Sequence, residues 1–180
     1  MKFISFLNPQ SRASWGLYNS TTNKVADLSD IAPSLLAFIE GPWEKQIPNI
    51  KQRFERADLS PASMQIQACI PRPPSMRDGY AFRQHVEAAR RNRGVPMIEE
   101  FDHFPVFYFT NHQAVFGPGP IEVLPHHLEQ LDFELESAIV VGKKCRNVKA
   151  ADADKVIFGY TIMNDFSARK LQMDEMKLSL

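Results

Sequence analysis

Residues 131–136, Leu-Asp-Phe-Glu-Leu-Glu, alternate apolar and acidic side chains without a break. A two-residue period belongs to a β-strand, so Asp132, Glu134 and Glu136 project from one face of it. Successive members of such a row stand about 7 Å apart. At an effective dielectric of about 20, each ionised pair at that distance repels by about 2 kcal/mol. A fold can carry this row in two ways: the face is a solvated polar surface, or a cation offsets the repulsion. Hard carboxylate oxygens suit Mg²⁺, Ca²⁺ or Mn²⁺ far better than zinc or copper.

The rest of the chain reads as a mixture of strands and short helices. The acidic strand continues through Ser137–Val141 to Gly142, and Val156–Met163 forms a second, apolar strand. Asn164-Asp165 then offers an N-cap for a helix from Phe166 towards Lys177, so Asp165 is either a helix cap or a ligand at the end of a strand. Towards the N-terminus, Phe3–Phe6, Ser14–Tyr18 and Lys24–Leu28 are expected strands. Pro33–Glu40 and Ile50–Ala57 are expected helices, the first stopped by Gly41-Pro42. Ile66–Ile70 is another expected strand, and the cluster Pro71-Arg72-Pro73-Pro74 is a stiff boundary between units.

A helix is expected from Ser75 to Arg93, with Arg90, Arg91 and Arg93 at its negative end and Gly94 after it. Such a helix places Asp78 and His85 on one face, about 10 Å apart along the axis. Asp78 then either lines a groove with His85 or is a first-turn acid favoured by the helix dipole. Phe104–Phe109 is an expected strand and Gly117–Pro120 a turn.

Bulk properties narrow the partners. Lys+Arg and Asp+Glu both number 21, so the chain advertises no basic surface for nucleic acid or an anionic membrane. Cys69 and Cys145 lie far apart and outside any CxxC spacing, which argues against a disulfide framework or structural zinc. The apolar start is broken by Pro9, too short for a secretory signal, and no stretch is long enough to span a bilayer. A cytoplasmic protein is the expectation. Gly117-Pro118-Gly119 lacks the third glycine of a dinucleotide loop and has prolines where N–H donors are needed. His126-His127 lacks the HExxH spacing of a zinc site.

Four segments taken in order carry a resemblance. Met76–His85, Phe104–Phe109, Leu131–Glu136 and Phe158–Arg169 resemble the fumarylacetoacetate hydrolase family over about residues 66–180. The most specific part is the strand running into Asn164-Asp165-Phe166-Ser167-Ala168-Arg169. The resemblance implies a β-rich α+β fold, a mixed β-sandwich roll spanning 66–180, preceded by a small α+β domain over 1–65. It implies a divalent metal, Mg²⁺ foremost with Ca²⁺ or Mn²⁺ as alternatives, held by Asp78, Glu134, Glu136 and Asp165. His85 matches the general base, and Tyr80, Tyr108, Arg169 and Gln172 fall where relatives contact substrate. Asp132 is not among the family's ligands and is either a supporting acid or exposed.

The sequence departs from the pattern at Gly79, where an aromatic is usual, at Phe166, where Trp is common, and at Lys170, where an acid is common. Members also continue past this helix into a stretch with a functional lysine and a glutamate that orients the histidine, so the roll is expected to be incomplete here. The resemblance implies a metal-dependent hydrolase that cleaves a C–C bond in a β-diketo or acylpyruvate-type acid, acting as a homodimer. Decarboxylation, isomerisation or hydration of a 2-oxo acid is the alternative chemistry. An inactive fragment acting only by binding or dimerisation is the alternative of another class.

Overall fold

The structure, a computed structural model, describes residues 1–178. It comprises two compact units, one formed by Met1–Ile70 with the chain from Phe116 onward, the other by Pro71–Val115.

The first unit is built on an antiparallel sheet of β1 (Lys2–Leu7), β2 (Ala13–Asn19), β3 (Lys24–Asp27) and β4 (Gln65–Ile66), in the order β3-β2-β1-β4. Local chemistry sets its turns. The Asn8 side chain accepts from the N–H groups of Gln10 and Arg12, both at 3.0 Å, and closes the first hairpin. Gly16 is required by close approach, because a Cβ there would lie 2.3 Å from the Ala26 carbonyl oxygen.

Two helices, α1 (Leu35–Glu40) and α2 (Trp43–Phe54), belong to the same unit. Ser34 caps α1 by accepting the Ala37 N–H at 3.1 Å. The second helix begins well before Ile50, where the sequence suggested its start. Pro48 lies within it and removes one backbone donor without ending the helix. Trp15, Leu17, Leu28, Leu35, Phe38, Ile39 and Ile50 form the core. Each such side chain contributes on the order of 2 kcal/mol by leaving water.

Against this core rests a long antiparallel hairpin, β7 (Leu131–Val141) and β8 (Ile157–Ala168). Phe158, the extra residue where the register shifts between Val140 and Val141, packs 5.3 Å from the Phe3 ring and 5.1 Å from Trp43. The Trp43 indole N–H donates to the Gly142 carbonyl at 3.1 Å. The hairpin is therefore pinned near its closed end, and its open end carries the acids.

The second strand corrects the sequence reading. β8 runs through Ala168 rather than stopping at Met163, and the following helix α4 (Arg169–Glu175) has Ala168 at its N-cap with no capping side-chain bond. Asn164 and Asp165 pair with Leu135 and Glu134 as strand residues. The ladder with β7 outweighs the local preference of Asn-Asp for a helix start.

Opposed residues in an antiparallel pair share a face. One face of the hairpin holds Glu134 with Asp165, Glu136 with Met163, and Ala138 with Thr161. All six are partly buried. The other face holds Phe133 with Phe166, Leu135, Ile139 with Tyr160, and Ile162. Leu135 is 72% exposed and Ile162 78%. The acidic face is thus the more buried of the two, opposite to what a solvated polar face requires.

In the second unit, β5 (Arg77–Gly79) pairs antiparallel with β6 (Phe107–Phe109), and α3 (Arg83–Asn92) follows. The helix expected from Ser75 starts only after Phe82, so Asp78 and His85 belong to different elements and share no helical face. Gly79 is a poor helix residue, costing about 1 kcal/mol relative to Ala. Pairing with β6, extended by the Tyr80 N–H to the Val106 carbonyl at 3.2 Å, holds the segment straight instead. The end of α3 is as read, with Arg90 and Arg91 in its last turn and Gly94 at φ 70° beyond it.

Candidate metal centre

The acidic cluster follows from strand register. Glu134 and Asp165 are direct partners across the hairpin, and Glu136 lies two residues along on the same face. One carboxylate oxygen of Glu136 approaches one of Asp165 within 4.8 Å. Two oxygens bound to one dication at about 2.1–2.5 Å can be at most about 5 Å apart, so this spacing fits a shared ion. The donors are all hard oxygens, which matches Mg²⁺, Mn²⁺ or Ca²⁺.

Arg169, the first residue of α4, reaches back over the row. Its guanidinium contacts Glu134 Oε1 at 2.7 Å and donates from Nε to Asp132 Oδ2 at 3.1 Å. A third nitrogen donates to Gln172 Oε1 at 3.2 Å. Part of the positive charge that the Asp132-Glu134-Glu136 row demands is therefore supplied by the chain itself. A carboxylate has two oxygens, so the contact through Oε1 leaves Glu134 a second donor for an ion.

These contacts show in the titration of the groups. The Phe133 backbone N–H and then the Arg169 guanidinium hold the Asp132 carboxyl below its ordinary value. Partial burial pulls Arg169 down, but hydrogen bonds to Glu134 and Asp132 outweigh it and leave the guanidinium above its usual range. The role of Arg169 as counter-ion was not read from the sequence. Only the register of β7 against β8 reveals that the residue after Ala168 overlies Asp132 and Glu134.

Lys170 points its charge elsewhere, 2.6 Å from Glu129 Oε2. In the second unit, Asp78 sits on β5 opposite Tyr108, whose hydroxyl donates to Asp78 Oδ2 at 3.0 Å. His85 lies exposed in the first turn of α3, its ring 6.3 Å from that of Tyr80. Glu134, Glu136, Asp165, Arg169 and Gln172 thus lie in the first unit, and the pairs Asp78–Tyr108 and Tyr80–His85 in the second.

Comparison with known proteins identifies the lineage. Residues 75–180, more than half of the chain, match the family described as fumarylacetoacetate (FAA) hydrolase C-terminal. The chain belongs to the fumarylacetoacetate hydrolase family. The human mitochondrial oxaloacetate tautomerase FAHD2A is 35% identical over 83 residues, which are 46% of this chain and 25% of the human protein.

Among solved structures, fumarylacetoacetate hydrolase from Exiguobacterium antarcticum superposes with a TM-score of 0.68 at 24% identity, covering 98% of this chain and 59% of that one. Maleylpyruvate hydrolase from Sphingobium sp. SYK-6, solved with manganese(II) and pyruvate, gives a TM-score of 0.65 at 19% identity and covers 92% and 58%. The α+β fold with antiparallel sheets is that of the family. The chain spans a quarter to a half of the curated relatives it matches.

Among the described residues, no helix is long and apolar enough to cross a membrane. For a fumarylacetoacetate hydrolase family member, the departure at Lys170 has a local explanation, since Glu129 engages the added charge.

Proposed function

We propose that this chain supplies the metal-binding part of an enzyme that cleaves a C–C bond in a β-diketo or acylpyruvate-type acid. The supporting observation is the partly buried carboxylate face of the hairpin, with Glu134 opposite Asp165 and Glu136 within 4.8 Å of Asp165. Glu134, Glu136 and Asp165 are assigned as ligands of a divalent cation, with Asp78 as the fourth. Mg²⁺ or Mn²⁺ is the preferred occupant, and Ca²⁺ shares the same donor chemistry. A bound dication polarises a substrate carbonyl and offsets the negative charge that develops as the C–C bond breaks.

The protein's own groups divide the remaining work. His85 takes a proton from water at neutral pH and so delivers a hydroxide-like nucleophile. Arg169 and Gln172 bind the substrate carboxylate, for which a planar guanidinium is suited by its paired donors. Tyr80 and Tyr108 hold the rest of the acid. Members of this family act on small organic acids, which fits such a site.

A second reading is proton transfer without hydrolysis, as the name of the human relative, an oxaloacetate tautomerase, suggests. Both readings use the same cation and carboxylate pocket. They separate when the chain is incubated with Mn²⁺ or Mg²⁺ and either an acylpyruvate or oxaloacetate, with cleavage followed by product release and tautomerisation by the enol absorbance. His85→Ala is expected to keep Mn²⁺ affinity, measured by isothermal titration, while losing cleavage. Unchanged cleavage in that variant removes His85 as the base.

A further inference from the structure

We infer that Asp132 is a positioning residue that holds Arg169 in register for an incoming carboxylate, an inference that rests on the substrate-binding assignment of Arg169 above. Three observations carry it. Asp132 is the outermost member of the acidic row, opposite Ser167, and the Asp132 side chain is 54% exposed, unlike Glu134 at 28%. It accepts Nε of Arg169 at 3.1 Å, while Glu134 takes a terminal nitrogen at 2.7 Å and Gln172 the other at 3.2 Å. Arg169 itself is the first residue of a short helix whose N-cap makes no side-chain bond.

A guanidinium has five N–H donors in a rigid planar fork. The three contacts use three of them and fix the plane. Without Asp132, Arg169 keeps its contact with Glu134 and is drawn further onto a residue assigned to the metal. With Asp132 holding Nε, a terminal nitrogen of the arginine meets Glu134 at Oε1, and the other carboxylate oxygen is the one assigned to the cation. The remaining donors stay available to a substrate carboxylate. Asp132 thus separates two tasks that otherwise compete for Glu134: holding Arg169 and holding the cation.

The test is a double-mutant cycle on the full chain with Asp132→Asn, Arg169→Gln and the double variant, using pyruvate as the probe at saturating Mn²⁺. Mn²⁺ occupancy is checked by electron paramagnetic resonance, and folding by circular dichroism. Asp132→Asn is expected to weaken pyruvate about tenfold when Arg169 is present and less than about twofold when it is Gln, the pattern of coupled neighbours. Asp132→Glu is expected to recover most of the loss. Mn²⁺ is kept saturating in every variant, so a change in metal affinity does not enter the pyruvate comparison.

An equal loss of pyruvate affinity with and without Arg169 overturns the inference, as does a failure of Asp132→Glu to restore binding when the variant is folded. Failure of the underlying assignment has a different signature: Arg169→Gln alone then leaves pyruvate affinity unchanged, or the unaltered chain binds no Mn²⁺. Either result removes the inference together with its premise.

Discussion

Glu134 and Asp165 face each other directly across the β7–β8 ladder, on the side of the hairpin that is partly buried. Two like charges so placed repel, and Arg169, 2.7 Å from Glu134, offsets part of that repulsion. Removing a carboxylate assigned to the cation should weaken affinity for the ion. Asp165→Ala and Glu136→Ala are each expected to lower Mn²⁺ affinity by more than about 100-fold, the upper end of what even indirect metal-site changes cost. Isothermal titration reads the affinity. A loss below about threefold would show that the acidic face is not the metal's seat.

How much of this was visible beforehand depends on which forces act locally. The alternation of Leu131–Glu136 dictated a strand and a shared carboxylate face, because side-chain period is a property of the backbone alone. The capping preference of Asn164-Asp165 pointed to a helix that does not form, since eleven residues of β7 offer a partner ladder that no local signal reports. The Ser75–Arg93 helix failed at its start for the same reason. Arg77–Gly79 finds its hydrogen bonds in Phe107–Phe109, a segment distant in sequence. Arg169 as counter-ion to Asp132 and Glu134 needed that hairpin register as well, so it could not be read from residue spacing.

Phe158 couples the acidic hairpin to the N-terminal core, packing on Phe3 and Trp43 at centroid distances of 5.3 and 5.1 Å. Phe158→Ala should cost about 3 kcal/mol, the lower end for truncating a packed aromatic, because the residue is only partly buried. Urea denaturation gives the stability. Mn²⁺ affinity should fall less than in Asp165→Ala, since Phe158 sits at the closed end of the hairpin and the acids at the open end.

Lys170 and Glu129 form an exposed ion pair at 2.6 Å, and the bond to Glu129 holds the lysine above its ordinary value of 10.5. A folded value above the unfolded one means that the pair's contribution is complete below the unfolded value. It disappears as pH rises through the folded one. The stability difference between the unaltered chain and Lys170→Met should thus be constant near neutrality and vanish above the lysine's folded value. It should also shrink in high salt, because the pair is solvent-exposed. Thermal unfolding of both proteins from pH 7 into the alkaline range, at low and high salt, checks both dependences. A difference that grows with pH contradicts the sign.

Asp78 is the one assigned ligand outside the hairpin, and its partner Tyr108 is itself assigned to substrate. If Asp78 binds the cation, the tyrosine hydroxyl that donates to Oδ2 orients a ligand, and such supporting bonds change metal affinity by about 10–100-fold. Asp78→Asn should therefore weaken Mn²⁺ more than Tyr108→Phe does, and Tyr108→Phe should have little further effect once Asp78 is Asn. The substitution to Asn keeps the size of the side chain and removes only its charge, so a loss of affinity without a change in urea midpoint isolates the ligand role. Equal and additive losses from the two variants would instead make Tyr108 an independent contributor, and an unchanged affinity in Asp78→Asn would confine the metal's ligands to the hairpin.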